Sequence, residues 1–454
     1  MDWSRLVEGR LGAATKDSIW RSSLGGTGTL PRQGWKLHVS ATILSAERVF
    51  QIAADILDAR GVHYKACATI EIVQKLNSGL IYGYAQIGKV MTVYPKTDGE
   101  AVELAHLLDR GCDGLPHPIV PFDARLRPGS NIYYRYGIFL GSSPTGEGEE
   151  AQMIERPDGE LVADVRAPGH AVPDWLANPF ERSETRSERL RPRTPISTTY
   201  KAYDVLSQRG KGGTYLGLDL SLTTARRCVI KEGRAEGEVE WSGRDGRWRI
   251  QQERLRNEAL RRASVAVPEV YTHFETDTSR FLVMEYVDGE TLQSVIQSDP
   301  PSEFETELKL CRLIAGTVRD IHGAGLVWRD CKPANFIIGP EGQVRPLDFE
   351  GAIPEGAPAR DVWGSPGYTA PEAMRSAEGA RITFAEDYYS LGATLHHLLT
   401  RKPPHESKLE DLTMLRPDVP PWLGALIGTL LSPDPAVRPS AEAVERSCAK
   451  GGLT

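Results

Sequence analysis

The chain has 454 residues, of which 40% are hydrophobic and 25% are charged, with 44 glycines and 31 prolines. This balance is typical of a folded globular protein of two or three domains, and it excludes a fibrous or wholly disordered chain. The formal net charge of −7 provides no basic field for broad nucleic-acid binding, so we expect no nucleic-acid partner.

Cysteine usage and the N-terminus predict the cellular setting. The six cysteines are far apart and form no metal-ligand spacing with histidines, which predicts reduced thiols, no zinc site and a cytoplasmic location. The first 26 residues contain no apolar run long enough for a signal peptide or a membrane span. We therefore expect neither export nor a membrane anchor.

The first predicted domain covers residues 1–140. Its strand-like and helix-like segments alternate along the chain: Trp35–Ser40, Ser45–Ala59, Val90–Pro95, Glu100–Arg110 and Ile132–Phe139. Strands are predicted from apolar alternation at the first, third and fifth of these, and helices from a longer period at the other two. The pattern predicts a mixed α/β domain.

Basic side chains interrupt the strand-like segments of this domain. The two-residue period of a strand places Lys36 and His38 on one face, which suits a phosphate-sized cationic site and equally a solvated strand face. The other basic residues in or beside such segments are Lys65, Lys89, Arg125, Arg127 and Arg135. Together they predict an anion pocket with one histidine and one lysine available for proton transfer.

Residues 141–199 are rich in Pro, Gly, Glu, Arg and Ser and are predicted to form a partly ordered linker. Two short apolar pieces within it, Glu160–Val165 and Trp175–Phe180, predict a hairpin and a docking segment.

The second predicted domain covers residues 200–448 and is followed by a tail, 449–454. Strand-like segments come first and long helical patterns follow: Tyr215–Asp219, Cys228–Lys231, Phe281–Met284, then Glu303–His322, Ala385–Thr400 and Trp422–Leu431. This order predicts a small β-rich lobe followed by a larger helical lobe.

The strand-rich part carries candidate nucleotide-binding residues. Gly210, Gly212 and Gly213 would let backbone N–H groups approach phosphate oxygens, although an ordinary glycine-rich turn has the same composition. Lys231 lies in an apolar strand, where its ammonium needs a phosphate and a carboxylate. Glu258 is the candidate carboxylate. Its rival is Glu253, and a solvated helix face is the structural alternative.

An ordered set of phosphoryl-transfer residues follows. Asp330 would accept the proton of a substrate hydroxyl, Lys332 would contact the transferring phosphate, and Asn335 and Asp348 would bind Mg²⁺. Glu285, just after Phe281–Met284, is included among the nucleotide-binding residues. Because this ordered set is improbable by chance, we predict a phosphotransferase that uses ATP or GTP with Mg²⁺.

The second domain resembles Ser/Thr protein kinases. The segment Gly364–Glu372 resembles the end of an activation segment, and Asp387 and Arg438 stand at the positions of structural anchors, Arg438 pairing with Glu372. Two residues depart from the family pattern: Trp328 replaces a histidine, and Glu350 replaces the glycine after Asp-Phe. The second departure argues against an Asp-Phe flip as an off switch.

The first domain resembles the lyase domain of class III lanthipeptide synthetases, on the segments Gly34–Ser40, Gly88–Pro95 and Tyr134–Gly137. In that family a phosphoserine/phosphothreonine lyase, similar to the phosphothreonine lyases of bacterial pathogens, precedes a kinase. The implied fold class is α+β, with a mixed α/β lyase domain followed by a bilobal protein-kinase fold. The family's third, cyclase-like domain is missing, which leaves open a natural two-domain protein or a shortened chain.

The resemblance implies a bifunctional dehydratase. The kinase would phosphorylate Ser and Thr of a ribosomal precursor peptide with a leader segment, and the lyase would then eliminate phosphate to leave dehydroalanine or dehydrobutyrine. Carried over to this sequence, neutral Lys65 takes the Cα proton and protonated His38 protonates the departing phosphate. The phosphate-holding residues would be Lys36, Lys89, Arg125 and Arg135, and this cationic surrounding would lower the pKa of Lys65.

Two other hypotheses stay open. A signalling Ser/Thr kinase with a phosphopeptide-binding regulatory N-terminal domain would add phosphate mass to its substrate. Phosphorylation followed by elimination of the phosphate would instead leave the product lighter by one water for each modified residue. A pseudokinase scaffold is disfavoured by the intact Lys231, Asp330, Asn335 and Asp348. Any thioether ring would need a separate cyclase, a missing domain or uncatalysed addition, since no zinc ligand set could activate a thiolate.

Overall fold

The computed structural model describes residues 3–12, 18–23, 30–139, 153–168, 171–181, 195–298, 303–359, 363–375, 379–404 and 410–451. The chain divides into two compact units. The first comprises Met1–Thr223, Lys231–Trp248 and Phe274–Phe281, and the second comprises Thr224–Ile230, Arg249–His273 and Leu282–Thr454. Much of the predicted linker, residues 141–152 and 182–194, lies outside the described residues.

The first unit begins with a six-stranded antiparallel sheet and its helices. Its elements are α1 (Trp3–Leu11), β1 (Trp20–Ser22), β2 (Gln33–Val39), α2 (Ala46–Asp58), β3 (His63–Cys67), α3 (Ile70–Ser78), β4 (Met91–Tyr94), α4 (Asp98–Cys112), β5 (Ala124–Arg125) and β6 (Ile132–Ile138). The strand order is β1-β3-β4-β2-β6-β5, and every neighbouring pair is antiparallel.

The two faces of this sheet differ in polarity. In β2, the side chains of Trp35, Leu37 and Val39 are buried in the hydrophobic core, which they share with α2 and α4. The alternating residues Lys36 and His38 therefore project from the opposite face. The alternating sequence of β2 thus gives the sheet an apolar face that packs in the core and a polar face that carries Lys36 and His38.

Side-chain caps set the helix boundaries in this part of the fold. Thr97 accepts a hydrogen bond from the Glu100 N–H at 3.2 Å and starts α4 two residues before the predicted boundary. Thr69 caps α3 in the same way. Helix α3 ends at Gly79, whose φ of 71° lies in the left-handed region that glycine adopts without a Cβ penalty.

A hairpin lies where the sequence predicts one. It consists of β7 (Met153–Glu155) and β8 (Leu161–Ala163), which pair antiparallel. The Gln33 amide attaches it to the start of β2, donating from Nε2 to the Glu155 carbonyl at 2.7 Å and accepting from the Glu155 N–H at 2.7 Å.

A five-stranded sheet with order β12-β13-β11-β10-β9 follows. The elements of this stretch are α5 (Pro195–Thr198), β9 (Tyr200–Arg209), β10 (Gly212–Asp219), β11 (Arg226–Arg234), α6 (Gly246–Arg262), β12 (Val270–Glu275) and β13 (Ser279–Glu285). Gly212 pairs with Arg209, so Gly210 and Lys211 form a two-residue turn between β9 and β10.

The remainder of the second unit is mainly helical. Its elements are β14 (Glu290–Thr291), α7 (Leu292–Gln297), α8 (Phe304–Gly323), β15 (Leu326–Val327), β16 (Phe336–Ile338), β17 (Val344–Pro346), β18 (Ile353–Pro354), α9 (Pro371–Arg375), α10 (Phe384–Thr400), α11 (Leu412–Leu415), α12 (Pro421–Leu430) and α13 (Ala441–Lys450). A single core includes the buried rings of Trp328, Phe336 and Phe349. Among the described residues, no helix is both long and apolar enough to cross a membrane.

Candidate active sites

The strand register of the first sheet gathers the predicted acid and base. Lys65 in β3 pairs with Thr92 in β4, and Thr92 pairs with His38 in β2. Directly paired residues share a face, so Lys65 and His38 project to the same side with one strand between them. At about 4.8 Å per strand, their Cα atoms are about 10 Å apart. A phosphoester lying across β4 is within reach of both side chains.

Asp123, which the sequence analysis did not select, connects two of the predicted residues. Its Oδ2 accepts a hydrogen bond from His38 Nδ1 at 2.5 Å, and its Oδ1 accepts one from Lys89 Nζ at 3.0 Å. The Asp123 side chain is 1% exposed. Burial opposes its ionisation, but His38 and Lys89 outweigh burial and lower the pKa of Asp123 to about 2. Because a carboxylate only accepts, Nδ1 of His38 carries the proton and Nε2 is left for a substrate.

The half-buried lysines of this site have pKa values near neutral pH. Burial lowers the pKa of Lys65 to about 8; Cys67 opposes the shift, and the charges of Arg166 and Lys89 add to it. Burial also lowers the pKa of Lys36 to about 7, against the opposing charge of Asp164. The Lys65 ammonium lies 4.4 Å from the centroid of the Trp20 ring.

Burial acts against the charge that the acid role of His38 requires. It lowers the pKa of His38 to about 3; Asp123 opposes this shift and Lys89 adds to it. Without an anion in the pocket, burial therefore favours the neutral imidazole. A phosphate dianion bound beside the ring would favour the imidazolium and raise the pKa again.

Two of the predicted phosphate-holding residues are held by carboxylates. Lys89 is buried and bonds Asp123, as described above. Arg135 pairs with Lys36 across the sheet, and its guanidinium forms an ion pair with Asp164, the two side chains being 3% and 1% exposed. Asp164 lies beyond the predicted end of the first domain at residue 140, so the hairpin segment belongs structurally to this site.

Arg125 lies on the same face but makes local contacts. It pairs with Tyr133 in the register of β5 and β6. Its Nε donates to the Ser130 carbonyl at 2.8 Å, and its Nη2 contacts His117 Nε2 at 2.5 Å. These contacts engage Nε and Nη2 of Arg125, and its phosphate-holding role stays a prediction. The charge of Arg166 helps to lower the pKa values of Lys36 and Lys65. The sequence analysis missed this residue because it lies in the predicted linker.

The second unit assembles the predicted phosphoryl-transfer residues. Asp330 Oδ2 accepts hydrogen bonds from Lys332 Nζ at 2.8 Å and Asn335 Nδ2 at 2.7 Å. Ser365, which the sequence analysis did not single out, donates to Asp330 Oδ1 at 3.0 Å and accepts from Lys332 Nζ at 2.7 Å. Because Asn335 uses its amide N–H groups on Asp330, its amide oxygen is left as a potential metal ligand.

Asp387 anchors the loop that carries Asp330. Its carboxylate accepts from the backbone N–H groups of Trp328 and Arg329 at 2.7 Å each, and from His322 Nε2 at 2.8 Å. Trp328 Nε1 donates to the carbonyl of Asp348 at 2.8 Å. The unusual tryptophan therefore links the loop of Asp330 to the loop of the predicted metal ligand Asp348. Asp387 is the structural anchor that the sequence predicts.

Carboxylates cluster around Asp348. Oxygen atoms of Glu253, Asp348 and Glu350 lie within 4.8 Å of one another. Three carboxylates this close repel one another unless a cation lies among them, and oxygen ligands are those that Mg²⁺ prefers. Glu350, which replaces the usual glycine, thus adds a carboxylate to the predicted metal site. Arg249 Nη1 is 3.8 Å from Glu350 and balances part of this charge.

The assignment of Glu258 is corrected by the structure. Its Oε1 accepts from Arg254 Nη1 at 2.6 Å, and its side chain is 39% exposed. Glu253, the rival, is 1% exposed and lies beside Asp348. Five residues along a helix correspond to about 140° around its axis, so the two glutamates face different directions. Glu253 is therefore the better candidate for the carboxylate of the nucleotide site.

Gly210 has a packing role that the sequence did not reveal. Its N–H donates to the Ser78 carbonyl at 3.0 Å, and an added Cβ would lie 1.7 Å from the Asn77 carbonyl oxygen. The turn between β9 and β10 therefore packs against the end of α3, both within the first unit. This contact occupies the Gly210 N–H, so the predicted role of that group as a phosphate donor is wrong.

The other predicted nucleotide-binding residues have varied surroundings. Gly212 is required for close packing, since an added Cβ would lie 1.7 Å from the Glu232 carbonyl oxygen, whereas at Gly213 it would meet the Tyr215 hydroxyl at 2.4 Å. Lys231 is half-buried in β11.

Glu285 and Glu372 are both held by arginines. Glu285 uses both carboxylate oxygens on Arg345 at 2.6 and 2.7 Å, and its N–H donates to the Glu269 carbonyl at 2.8 Å. Glu372 pairs with Arg438 at 2.5 and 2.8 Å, as predicted. This buried arginine ties the end of the activation segment to the residues before α13.

Comparisons with known proteins match both halves of the chain. The description "RamC, N-terminal domain" matches residues 10–192, and "Protein kinase domain" matches residues 212–447. The chain is 30% identical over 376 residues to the probable SapB synthase of Streptomyces coelicolor, covering 78% of this chain and 39% of that protein. It therefore spans about two fifths of the length of that relative.

Two kinase relatives match the C-terminal half. The identity is 31% over 233 residues to the serine/threonine-protein kinase PknA of Nostoc sp., covering 47% of this chain and 39% of that protein. It is 30% over 221 residues to PknB of Mycobacterium leprae, covering 46% and 33%. Together with the domain matches, these relatives confirm the resemblance predicted for both halves and the predicted fold class.

Proposed function

The chain belongs to the protein kinase family and carries a RamC N-terminal domain ahead of its kinase, and from this premise we propose that it is a bifunctional peptide dehydratase. The kinase half phosphorylates Ser and Thr of a ribosomal precursor peptide that carries a leader segment. The N-terminal half then eliminates the phosphate and leaves dehydroalanine or dehydrobutyrine. The observation that carries the proposal is the strand register that aims Lys65 and His38 at the same side of β4.

The first step is phosphoryl transfer. A nucleoside triphosphate with Mg²⁺ supplies the phosphoryl group and neutralises its charge. Asp330 accepts the proton of the attacking hydroxyl, while Lys332, held 2.8 Å from Asp330, faces the transferring phosphate. Asn335 and Asp348 would hold the metal through oxygen atoms, and the neighbouring Glu253 and Glu350 carboxylates support that assignment.

The second step is β-elimination from the phosphorylated residue. The neutral amine of Lys65 removes the Cα proton, the Cβ–O bond breaks, and the electron pair of the C–H bond forms the alkene. His38 donates the proton on Nε2 to the departing phosphate oxygen, and Asp123 holds the ring through Nδ1. Binding of the phosphate dianion is what charges His38, so the acid is loaded only when a substrate is present.

The similarity to a protein named SapB synthase supports a biosynthetic role over a signalling one. A signalling Ser/Thr kinase with a phosphopeptide-binding N-terminal domain is the second candidate, favoured by the similarity to PknA and PknB. Those matches cover only 47% and 46% of this chain. A signalling kinase would also give no function to the pair of Lys65 and His38 in the N-terminal half.

Mass spectrometry separates the two candidates. A Ser-, Thr- and Cys-rich peptide encoded near this protein is incubated with the full chain, ATP or GTP, and Mg²⁺. The dehydratase predicts the loss of one water for each modified residue, whereas the signalling kinase predicts only added phosphate. Labelling the product with iodoacetamide would then test whether ring closure requires a separate cyclase, since uncyclised product keeps its thiols.

A further inference from the structure

The end of helix α3 and the residues after it, here called the support segment (Asn77–Gly88), contact the glycine-rich turn of the kinase half. The Gly210 N–H donates to the Ser78 carbonyl at 3.0 Å. An added Cβ at Gly210 would lie 1.7 Å from the Asn77 carbonyl oxygen, so the two backbones approach each other closely. All of these residues belong to the first compact unit. The turn is therefore fixed against the N-terminal domain at its first residue.

Arg234, at the end of β11, adds a second attachment between the turn and the support segment. Its Nη1 donates to the Arg209 carbonyl at 3.1 Å, and its backbone N–H donates to the Lys211 carbonyl at 2.8 Å. The same guanidinium lies 5.5 Å from the centroid of the Tyr84 ring, which is within the range of a cation–π contact. One arginine thus holds both sides of the turn and places it beside Tyr84.

The support segment also holds residues of the eliminating site. Asn77 is 4% exposed; its Nδ2 donates to the Ala41 carbonyl at 2.9 Å, and its Oδ1 accepts from the Gly88 N–H at 3.1 Å. Gly88 directly precedes Lys89, whose ammonium donates to Asp123. The Asn77 side chain therefore fixes the backbone next to one member of the Lys89–Asp123 pair.

Tyr84 reaches the other member of that pair. Its ring packs edge-on against Phe122, with the ring centroids 5.6 Å apart. Phe122 directly precedes Asp123, and its φ of 67° lies in the left-handed region that few non-glycine residues adopt. A backbone in this conformation persists because its surroundings hold it there. The support segment is thus attached at two points to the turn and at two points to the Lys89–Asp123 pair.

We propose that the support segment is a positioning element for both reactions: it holds the glycine-rich turn for the nucleotide and the Lys89–Asp123 pair for the phosphopeptide. This inference rests on the proposed function, whose two steps it connects through one stretch of backbone. Gly212 and Gly213, the glycines left as candidate phosphate contacts, follow the turn directly, so a shift of the turn moves them. Asp123 holds the His38 imidazole, so a shift of the segment moves the acid. Small shifts matter, because misplacing reacting groups by about 1 Å costs about 10²-fold in rate.

A substitution in the turn tests the effect on elimination, a step in which no residue of the turn takes part. Gly210→Ala places a methyl group against the Asn77 carbonyl and displaces the support segment. With a synthetic phosphoserine peptide, we expect kcat of elimination, normalised to the folded fraction measured by circular dichroism, to fall about tenfold. The matched control is Lys211→Ala in the same turn, which adds no atom and should stay within about twofold of the wild-type chain. Equal rates for Gly210→Ala and this control would overturn the proposal.

A substitution in the support segment tests the effect on nucleotide binding and leaves every residue of the kinase half in place. Tyr84→Ala removes the ring beside Arg234, whereas Tyr84→Phe keeps it. Isothermal titration calorimetry of the full chain with a non-hydrolysable ATP analogue and Mg²⁺ should show binding weakened about fivefold in Tyr84→Ala, as for loss of a cation–π contact. Tyr84→Phe should keep most of the affinity. The fitted stoichiometry reports the folded fraction separately, so an unchanged dissociation constant in Tyr84→Ala would overturn the proposal even if Gly210→Ala fails to fold.

The two measurements separate this inference from the proposed function. If the wild-type chain does not eliminate phosphate from the phosphoserine peptide, the proposed function fails, and nucleotide binding by Tyr84→Ala still decides whether the support segment positions the turn. If the wild-type chain eliminates phosphate and both Gly210→Ala and Tyr84→Ala behave like it, the proposed function stands and the positioning role alone is refuted.

Discussion

The two candidate active sites are built from opposite charges and by different parts of the fold. In the N-terminal site, neighbouring strands present Lys36, His38 and Lys65 on one sheet face, so hydrogen-bonded register sets their spacing. In the kinase site, loops present Asp330 and Asp348, so side chains such as Asp387 must hold the backbone. A sheet face thus needs few supports, whereas a catalytic loop depends on buried anchors that touch no substrate.

The difference extends to the electrostatics of each site. Burial in the N-terminal site lowers the pKa values of its lysines and makes an amine available as a base. The kinase site instead collects carboxylates within 4.8 Å of one another, an arrangement suited to a divalent cation. In the N-terminal site, burial therefore lowers the proton affinity of the lysines. In the kinase site, the clustered carboxylates provide negative charge that would bind a metal ion.

The largest effect on a reaction rate is expected for a substitution that inactivates the kinase site alone. Asp330→Asn keeps the metal-binding residues but removes the acceptor of the hydroxyl proton, so phosphorylation should fall by about 10⁴-fold. Elimination from a peptide that already carries phosphoserine should stay unchanged, because that step uses only the N-terminal site. Both rates are followed by mass spectrometry. A parallel loss of elimination would show that the sites do not act independently.

The converse variant should stop the reaction after phosphorylation. Lys65→Ala removes the proposed base and should slow elimination about 10³-fold, so that phosphorylated peptide accumulates in the mass spectrum. Lys36→Ala is the matched control, since its amine is also buried and has a lowered pKa. A smaller effect is expected for Lys36→Ala, through phosphate binding alone. If Lys36→Ala were the more damaging change, the base would be assigned to the wrong lysine.

The pH dependence of elimination also distinguishes Lys65 from Lys36 as the base. The pKa of Lys65 is lowered to about 8, and its amine is neutral only above that value. At saturating phosphoserine peptide, where the bound phosphate keeps His38 charged, the elimination rate should therefore rise about tenfold per pH unit below pH 8 and level off above it. A pH–rate profile measured between pH 6 and 9 should bend near 8. A bend near 7 would point to Lys36, whose pKa is about 7.

A smaller effect is expected within the kinase site. Glu253→Gln should lower phosphorylation about tenfold, because it removes a buried carboxylate beside the proposed metal site. Glu258→Gln, on the same helix but 39% exposed and bonded to Arg254, should change the rate less than about twofold, as is usual for a surface ion pair. Nucleotide turnover in the presence of peptide measures both variants. Equal losses would restore Glu258 as a candidate.

Local patterns were sufficient for most secondary structure in this chain. The predicted strand Ile132–Phe139 corresponds to β6 (Ile132–Ile138), and the predicted helix Glu303–His322 corresponds to α8 (Phe304–Gly323). Both were readable because side-chain periodicity depends only on neighbours in sequence. The kinase motif was readable for a related reason, since Asp330, Lys332 and Asn335 lie within one short loop.

Glu258 and Gly210 show where local reasoning failed. Two glutamates on one helix have similar sequence surroundings, and only packing distinguishes the buried Glu253 from the exposed Glu258. A glycine-rich turn suits phosphate binding and close packing equally well. Ser78 is far from Gly210 in the sequence, yet its carbonyl accepts the hydrogen bond of the Gly210 N–H. This contact could not be predicted from the residues around Gly210.

By itself, the sequence determined the order of the elements, the polar and apolar faces of β2 and the identity of the phosphoryl-transfer loop, all of which depend on residues close together along the chain. Only the tertiary structure decided that Asp123 joins His38, 85 residues away, to Lys89, 34 residues away. It also decided that Asp164, beyond β8, pairs with Arg135 in β6. The physical reason is that burial and charge compensation act through space, so pKa values and partners depend on strand pairing that periodicity does not encode.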